Sequence, residues 1–406
     1  MEKFEVYYGL PAEIKFCKKC VISNQRPNAT NELRYSPQVK KQSTFIGKDG
    51  ICDACKYNDM KNNVFDWVKR GKMLQKICDR HRSKNSMYDC LVPGSGGKDS
   101  RFVSHILKYK YGMNPLTVTW PPTIYTEIGR RNFLNWLNDH DNITIQPNQS
   151  IHRMLTKLAF INLCHPFQPF IIGQRIIAAR LALKFQIPLI FYGEPQAEYG
   201  QNIQDAVNLR STMPLHYYSD VHDFDKIFMG GVSVRELIEK YNVDPRDLNQ
   251  YLPLTTEELK TFPLEYHYLG YYIKWDPQEV YYHATEHTGF VVNPERTEGT
   301  YSKYSSLDDR IDGFHYYSTY IKFGIGRATY DAAQEIRNEK ITREEGIALV
   351  KRFDGEFPQK YFKEILEYMD ISEELFRKVI DRSRSPHLWK KENGVWKLRH
   401  QVFLKP

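Results

Sequence analysis

Apolar residues in the first two thirds of the chain fall into two alternating kinds of run. Short continuous runs, Cys90-Leu91-Val92, Leu116-Thr117-Val118-Thr119-Trp120 and Pro188-Leu189-Ile190-Phe191-Tyr192, predict strands buried on both faces. Between them the apolar positions recur at helical spacing, with Phe102, Val103, Ile106 and Leu107 after the first strand and further helices over 127–137, 151–163 and 171–185. A helix over 63–81 precedes the first strand, and Ile143-Thr144-Ile145 adds another short strand. Strands alternating with helices predict an α/β fold built on a doubly wound parallel sheet. Tyr268-Leu269-Gly270-Tyr271-Tyr272-Ile273-Lys274-Trp275 reads as its last strand, followed by a helix with Asp276 as cap and Pro277 in its first position. The stretch at about 201–263 then becomes a mostly helical insertion, with helices over 234–241 and 256–261. Beyond it the pattern is helical over 308–322, 328–339, 342–353 and 359–368, and Ser372 caps one more helix. The chain therefore divides into 1–62, the α/β region 63–292, and a mainly helical region 293–406.

The residues after the first strand add chemistry to this outline. Pro93-Gly94-Ser95-Gly96-Gly97-Lys98-Asp99-Ser100 sets a glycine loop between a strand and a helix N-terminus. Free backbone N–H groups and the helix dipole favour an anion there, and Gly96 and Gly97 let the backbone curl around it. Ser95 and Ser100 are placed to donate to phosphate oxygens, Lys98 to neutralise a phosphate, and Asp99 to hold Mg²⁺. A glycine turn with no ligand is the plainer reading of two glycines alone. The Walker spacing is absent. The hexapeptide Ser95 to Ser100 instead resembles the PP-loop, Ser-Gly-Gly-x-Asp-Ser, of the ATP pyrophosphatases. That resemblance implies cleavage of ATP between the α- and β-phosphates, adenylation of a substrate oxygen, and displacement of AMP by a nucleophile.

Ligands of doubly wound sheets sit at the carboxyl ends of the strands. Trp120, Gly193 and Glu194 fall at such ends. Glu194 and Glu198 are two carboxylates able to hold Mg²⁺ or to act as general base, although a solvated loop acid is an equal reading of Glu198.

Cys17-Lys18-Lys19-Cys20 and Cys52-Asp53-Ala54-Cys55 are two C-x-x-C knuckles. Cys17, Cys20, Cys52 and Cys55 together make a closed tetrahedral Zn²⁺ site, ahead of redox and iron–sulfur alternatives. The polar segment between the knuckles can barely form a core, so the metal would supply folding energy.

Composition narrows the partners. The net charge of +8 over 406 residues suits nucleotides, sugar acids or RNA. No apolar run approaches the ~20 residues of a membrane span, and the first residues carry no signal-peptide pattern, so a cytoplasmic location without membrane contact is expected. In the last third, Tyr301, Lys303, Arg310, Arg327 and His387 belong to groups of cations and aromatics suited to a sugar acid, or to a solvated helical layer.

Taken together the chain resembles the N-acetyl sugar amidotransferases of bacterial surface-glycan pathways, which serve pseudaminic acid, legionaminic acid and O-antigen sugars. Besides the loop and the knuckles, the resemblance rests on Thr117-Val118-Thr119-Trp120, Gln168-Pro169-Phe170-Ile171-Ile172-Gly173-Gln174, Gly193-Glu194-Pro195, Lys322-Phe323-Gly324-Ile325-Gly326-Arg327-Ala328-Thr329 and Ile341-Thr342-Arg343-Glu344-Glu345-Gly346. It implies that an acetamido group becomes an acetamidino group, with ATP and Mg²⁺ as cofactors. Adenylation turns the amide oxygen into part of a leaving group, ammonia attacks the carbon, and AMP departs, while Lys98 and the loop amides stabilise pyrophosphate. It also implies a separate glutaminase with a barrel-shaped ammonia conduit as partner. Two alternatives stand beside it. One is a tRNA thiolase, which needs reactive cysteines near the nucleotide, where only Cys78, Cys90 and Cys164 remain outside the knuckles. The other is a non-catalytic zinc- and nucleotide-binding module. Nucleic acid is not an expected partner of the first reading.

Overall fold

The computed structural model describes residues 4–28, 32–35, 39–83, 88–210 and 223–403. An irregular N-terminal segment leads into α1 (Asp53–Asn63) and α2 (Trp67–His81). Strands and helices then alternate through β1 (Cys90–Pro93), α3 (Lys98–His105), β2 (Pro115–Thr119), α4 (Glu127–Trp136), β3 (Asn142–Thr144), α5 (Gln149–Leu163), α6 (Gln168–Phe185) and β4 (Leu189–Tyr192). The insertion holds α7 (Ile203–Asn208), the small hairpin β5 (Phe228–Met229) and β6 (Val232–Ser233), α8 (Val234–Tyr241) and α9 (Thr256–Thr261). Its middle, 211–222, lies outside the described residues. After β7 (Glu265–Tyr268) come α10 (Pro277–His287), α11 (Asp312–Phe323), α12 (Arg327–Arg337), α13 (Arg343–Phe353), α14 (Phe362–Met369), α15 (Glu373–Arg382) and a terminal hairpin of β8 (Trp389–Glu392) and β9 (Val395–Leu398).

The main sheet has five strands in the order β3-β2-β1-β4-β7, all parallel. Alternation along the strands sends side chains to two separate cores. Cys90 and Val92 of β1, with Leu189 and Phe191 of β4, pack on Phe102, Val103 and Leu107 after the glycine loop. Leu91 and Ile190 face the other way, against Ile172, Ile176 and Ile177 of α6. Burial on both faces is why these strands are continuous apolar runs. The order reverses between β1 and β4, which opens a crevice at their carboxyl ends. The loop after β1 and Gly193-Glu194 after β4 both emerge there.

Three expectations are corrected. The last strand is not 268–275: it is β7, and Leu269–Tyr271 already forms a 3-10 turn. Gly270 is drawn against the β4 loop, donating to Gly193 O at 3.2 Å, with a Cβ there only 2.5 Å from Pro195 Cδ. The helix expected over 63–81 begins only at Trp67, as α2, and a separate helix, α1, precedes it. α1 starts directly from the second knuckle, and Asp66 begins α2 by accepting from Lys69 N at 2.9 Å. The C-terminal region also ends in strands, with Asn393 and Gly394 both at positive φ in the two-residue turn of the hairpin.

The cysteine segment does not stand apart. Cys17, Cys20, Val21 and Cys52 share one apolar cluster with Phe314, Ile365, Phe376 and Trp389 of the C-terminal region. Among the described residues no helix is long and apolar enough to cross a membrane.

Candidate functional site

The glycine loop is shaped by contacts that leave no room for side chains. A Cβ on Gly94 would lie 2.1 Å from Ser100 Cβ, and one on Gly96, at φ +82, would lie 2.8 Å from Phe133 Cα. Gly97 caps α3 in an extended conformation. Arg101, buried beneath the loop, donates to Gly96 O at 2.8 Å and also to the carbonyls of Asn132 and Thr288, which fixes the turn from below.

Ser95, Gly97, Lys98 and Asp99 line a cavity of about 360 Å³. Lys98 Nζ lies 2.7 Å from Asp99 Oδ1, and Ser100 Oγ turns back to donate to Gly97 O at 3.1 Å. Glu194 closes the β4 side and accepts from Tyr199 OH and Gln334 Nε2, both at 2.6 Å. Burial, reinforced by the charge of Asp99, raises the Glu194 carboxyl above its ordinary value, with Lys98 opposing. The opposite wall comes from the C-terminal region: Tyr304, Asp308, Asp312, Arg327, Asp331 and Gln334. Ser95 Oγ crosses to it, donating to Asp308 Oδ2 at 2.6 Å. Burial raises Asp308, pushes Asp309 up to about 7 and lifts Asp312 well above its ordinary value, with the Asp308 charge adding to both others and the Asp309 charge to Asp312. Asp309 accepts from the backbone of Ile124 at 3.1 Å and Ile311 at 3.2 Å, which holds the acidic turn in place.

The structure separates the residues singled out from sequence. Ser95, Gly97, Lys98, Asp99, Glu194 and Arg327 meet in the cavity wall. Gly96 and Gly193 shape the backbone; a Cβ on Gly193 would stand 2.8 Å from the Trp275 ring. Trp120 is core: it lies under Gly173, where a Cβ would be 2.2 Å from the indole, and edge-on to Tyr251 at 5.3 Å. Glu198 is buried outside that wall, its two oxygens 2.8 and 3.1 Å from Lys61 Nζ. Lys61 donates further to Trp275 O at 2.8 Å and Asn338 Oδ1 at 3.3 Å. Tyr301 donates to Glu335 at 2.8 Å, Lys303 to Pro294 O at 2.9 Å, and Arg310 Nη1 to both carboxylate oxygens of Glu364 at 2.7 and 2.8 Å. His387 spans Ser385 Oγ at 2.6 Å and Gln25 Oε1 at 3.1 Å, outside the cavity wall, with burial bringing it down to about 4. Arg327 alone of these five reaches the cavity. The wall residues Asp308, Asp312, Asp331 and Gln334 were missed; the only sequence signal was the acid-rich run Asp308-Asp309-Arg310-Ile311-Asp312.

The four knuckle cysteines converge, their sulfurs all within 4.8 Å of one another. Cys17 Sγ lies 3.8 Å from Cys55 Sγ, and Cys20 Sγ 3.7 Å from Cys52 Sγ. A tetrahedron of ~2.3 Å Zn–S bonds has edges of about 3.8 Å, so the set fits Zn²⁺. Backbone N–H groups of Cys52 and Cys20 approach Cys17 Sγ at 3.3 and 3.5 Å, and Arg343 donates to the Cys20 and Cys17 carbonyls at 3.2 and 3.3 Å. Among the described residues no carboxylate group converges in the same way.

No curated protein matches the chain. A family model does match part of it, and the part is the one that supplies the acidic wall: residues 298–402 correspond to the model described as LPS biosynthesis protein WbpG-like, C-terminal domain, which connects this chain to LPS biosynthesis.

Proposed function

We propose that the chain is an ATP-dependent, AMP-forming amidotransferase of LPS sugar biosynthesis. Its substrate is an N-acetyl sugar, either a nonulosonic acid such as pseudaminic or legionaminic acid or a related O-antigen sugar, whose acetamido group becomes acetamidino. The observation that carries this reading is the shared cavity: the PP-loop-like turn forms one wall and the WbpG-like stretch forms the other.

The amide oxygen attacks the α-phosphorus of ATP, and pyrophosphate leaves. The amides at the start of α3 and Lys98 hold that leaving group. Asp99 would hold Mg²⁺, which would supply further charge neutralisation. Ammonia then adds to the imidate carbon and AMP departs with the former amide oxygen. Glu194, whose carboxyl is raised, accepts the proton that the incoming nitrogen must lose. A thiolase is less well supported, since Cys78, Cys90 and Cys164 all lie outside the wall of this cavity.

The test is incubation with ATP, Mg²⁺, ammonium and a panel of N-acetyl sugars and sugar acids. The expected result is AMP and pyrophosphate in step with a product in which O is replaced by NH. Absence of AMP with every sugar, or AMP formation that needs tRNA and a sulfur donor, overturns the reading.

A further inference from the structure

A second cavity, of about 320 Å³, adjoins the first and shares Tyr199, Tyr316, Arg327, Asp331 and Gln334 with it. The two differ in charge. The first gathers carboxylates around Asp308 and Asp312, whereas the second is lined by Arg26, Lys41, Arg175, Lys322 and Arg327. The acids among the described lining residues are Glu32 and Asp331. Glu32 is divided between two of the cations, one oxygen meeting Lys322 and the other 3.2 Å from Lys41. Asp331 lies 2.9 Å from Arg327. Arg26 stacks over the Tyr199 ring at 4.0 Å and donates to Tyr199 O at 3.2 Å, so its charge faces the junction of the cavities.

The gathered cations act on their neighbours. Burial, with the Lys322 charge adding, brings Lys41 down to about 8 against the pull of Glu32. His165 and His315 are kept neutral by burial and by the surrounding cations, His315 falling to about 3. Their rings stack 5.2 Å apart and form a planar, uncharged face in the same wall. Partly enclosed like charges of this kind lose hydration that a bound anion restores.

We propose that this second cavity is an anion subsite for the acceptor, holding the carboxylate or phosphate of an acidic N-acetyl sugar. The role assigned to the ligand rests on the amidotransferase reading; the anion site itself does not. An anionic acceptor finds no counter-charge at Asp308 and Asp312 and is drawn toward Lys41, Arg175 and Lys322. That polarity orients the sugar. Its charged end lies in the second cavity, and its acetamido group passes Arg327 and Gln334 to reach Ser95 and Lys98.

The test is calorimetric titration of the full chain, without ATP, with three probes: N-acetylneuraminic acid, UDP-N-acetylglucosamine and neutral N-acetylglucosamine. The expected result is salt-sensitive binding of a charged probe at least about tenfold tighter than of the neutral sugar. Lys41→Gln and Arg175→Gln weaken it about tenfold, and Lys41→Arg and Arg175→Lys retain it. Preference for the sugar acid assigns a carboxylate, and preference for the nucleotide sugar a diphosphate. The proposal is overturned if no charged probe binds, if the neutral sugar binds equally, or if folded Gln variants bind like the parent. Charged-probe binding without any AMP formation would remove the proposed reaction and leave the subsite standing.

Discussion

Ser95 and Asp308 are 213 positions apart in the chain, yet the Ser95 hydroxyl donates to the Asp308 carboxylate at 2.6 Å. The bond ties the glycine loop to the wall formed by the WbpG-like stretch. If the loop holds a leaving pyrophosphate, Ser95→Ala and Asp99→Ala should lower AMP and pyrophosphate formation on the order of 10²-fold or more with the fold intact. Asp308→Asn, which keeps an acceptor for the hydroxyl, should cost less than Asp308→Ala. Rates of pyrophosphate release, with circular dichroism as the folding control, check this. Near-normal turnover in Ser95→Ala and Asp99→Ala would remove the loop from the mechanism.

The cysteine cluster leads to a separate expectation. Its sulfurs lie at tetrahedral spacing inside a core shared with the C-terminal region, so metal loss should disturb that core. Purified protein should carry one Zn²⁺ per chain by elemental analysis, and Cys17→Ser or Cys52→Ser should reduce folded yield more than the turnover of the surviving fraction. Iron, or fully active protein without metal, would contradict it.

Lys61 and Glu198 offer a case where stability and chemistry predict opposite outcomes. The pair is buried and joins α1 to the loop after β4. Removing one partner leaves an unpaired buried charge, at a cost of about 3–5 kcal/mol. Lys61→Met should therefore lower the urea midpoint strongly, and adding Glu198→Leu should recover much of the loss. Glu198→Gln that slows turnover about 10²-fold without changing stability would instead make Glu198 a general base.

These residues show how unevenly the chain announces itself. β1, β2 and β4 were readable because burial on both faces makes them continuous apolar runs. β7 was not, since Glu265-Tyr266-His267-Tyr268 mixes acid, aromatic and imidazole. The glycine loop is a contiguous hexapeptide, so its shape follows from local sequence. The facing wall consists of single side chains such as Asp308, Asp312 and Gln334, which acquire meaning only when helices pack. Arg310 and Tyr301 have the composition expected of a sugar site, but Glu364 and Glu335 engage them first. Asn393-Gly394 is a hairpin signal present in the sequence and overlooked beside the helical pattern that precedes it.

Glu194 should be visible in a pH series. Its folded-state value lies above the unfolded one, first because of burial and then because of Asp99. The folded protein therefore holds the proton to higher pH than the unfolded chain. The associated stability is fully present below the unfolded value and is lost as pH rises through the folded value. Glu194→Gln removes this titration while keeping an acceptor for Tyr199. Its stability relative to the parent should grow between pH 5 and pH 8, as read from melting temperatures. A difference that is flat or shrinks with pH would mean the carboxylate is not destabilised by its surroundings.

The last prediction concerns the nitrogen donor. Amidination consumes ammonia, which is scarce at neutral pH because ammonium dominates. A glutaminase acting in this chain would need an exposed cysteine nucleophile. Cys78 and Cys90 are fully buried and Cys164 is 2% exposed, while the other four cysteines converge on one another at the candidate zinc site. Burial also raises the thiols of Cys78, Cys90 and Cys164, which disfavours the thiolate a glutaminase requires. The chain alone should thus make product from high ammonium and none from glutamine. Glutamine should become a donor only when a separate glutaminase with an ammonia conduit is added, and a Cys164→Ala variant should behave like the parent in both conditions. Efficient glutamine-driven amidination by the rigorously purified single chain would refute this, and loss of that activity in Cys164→Ala would identify the nucleophile.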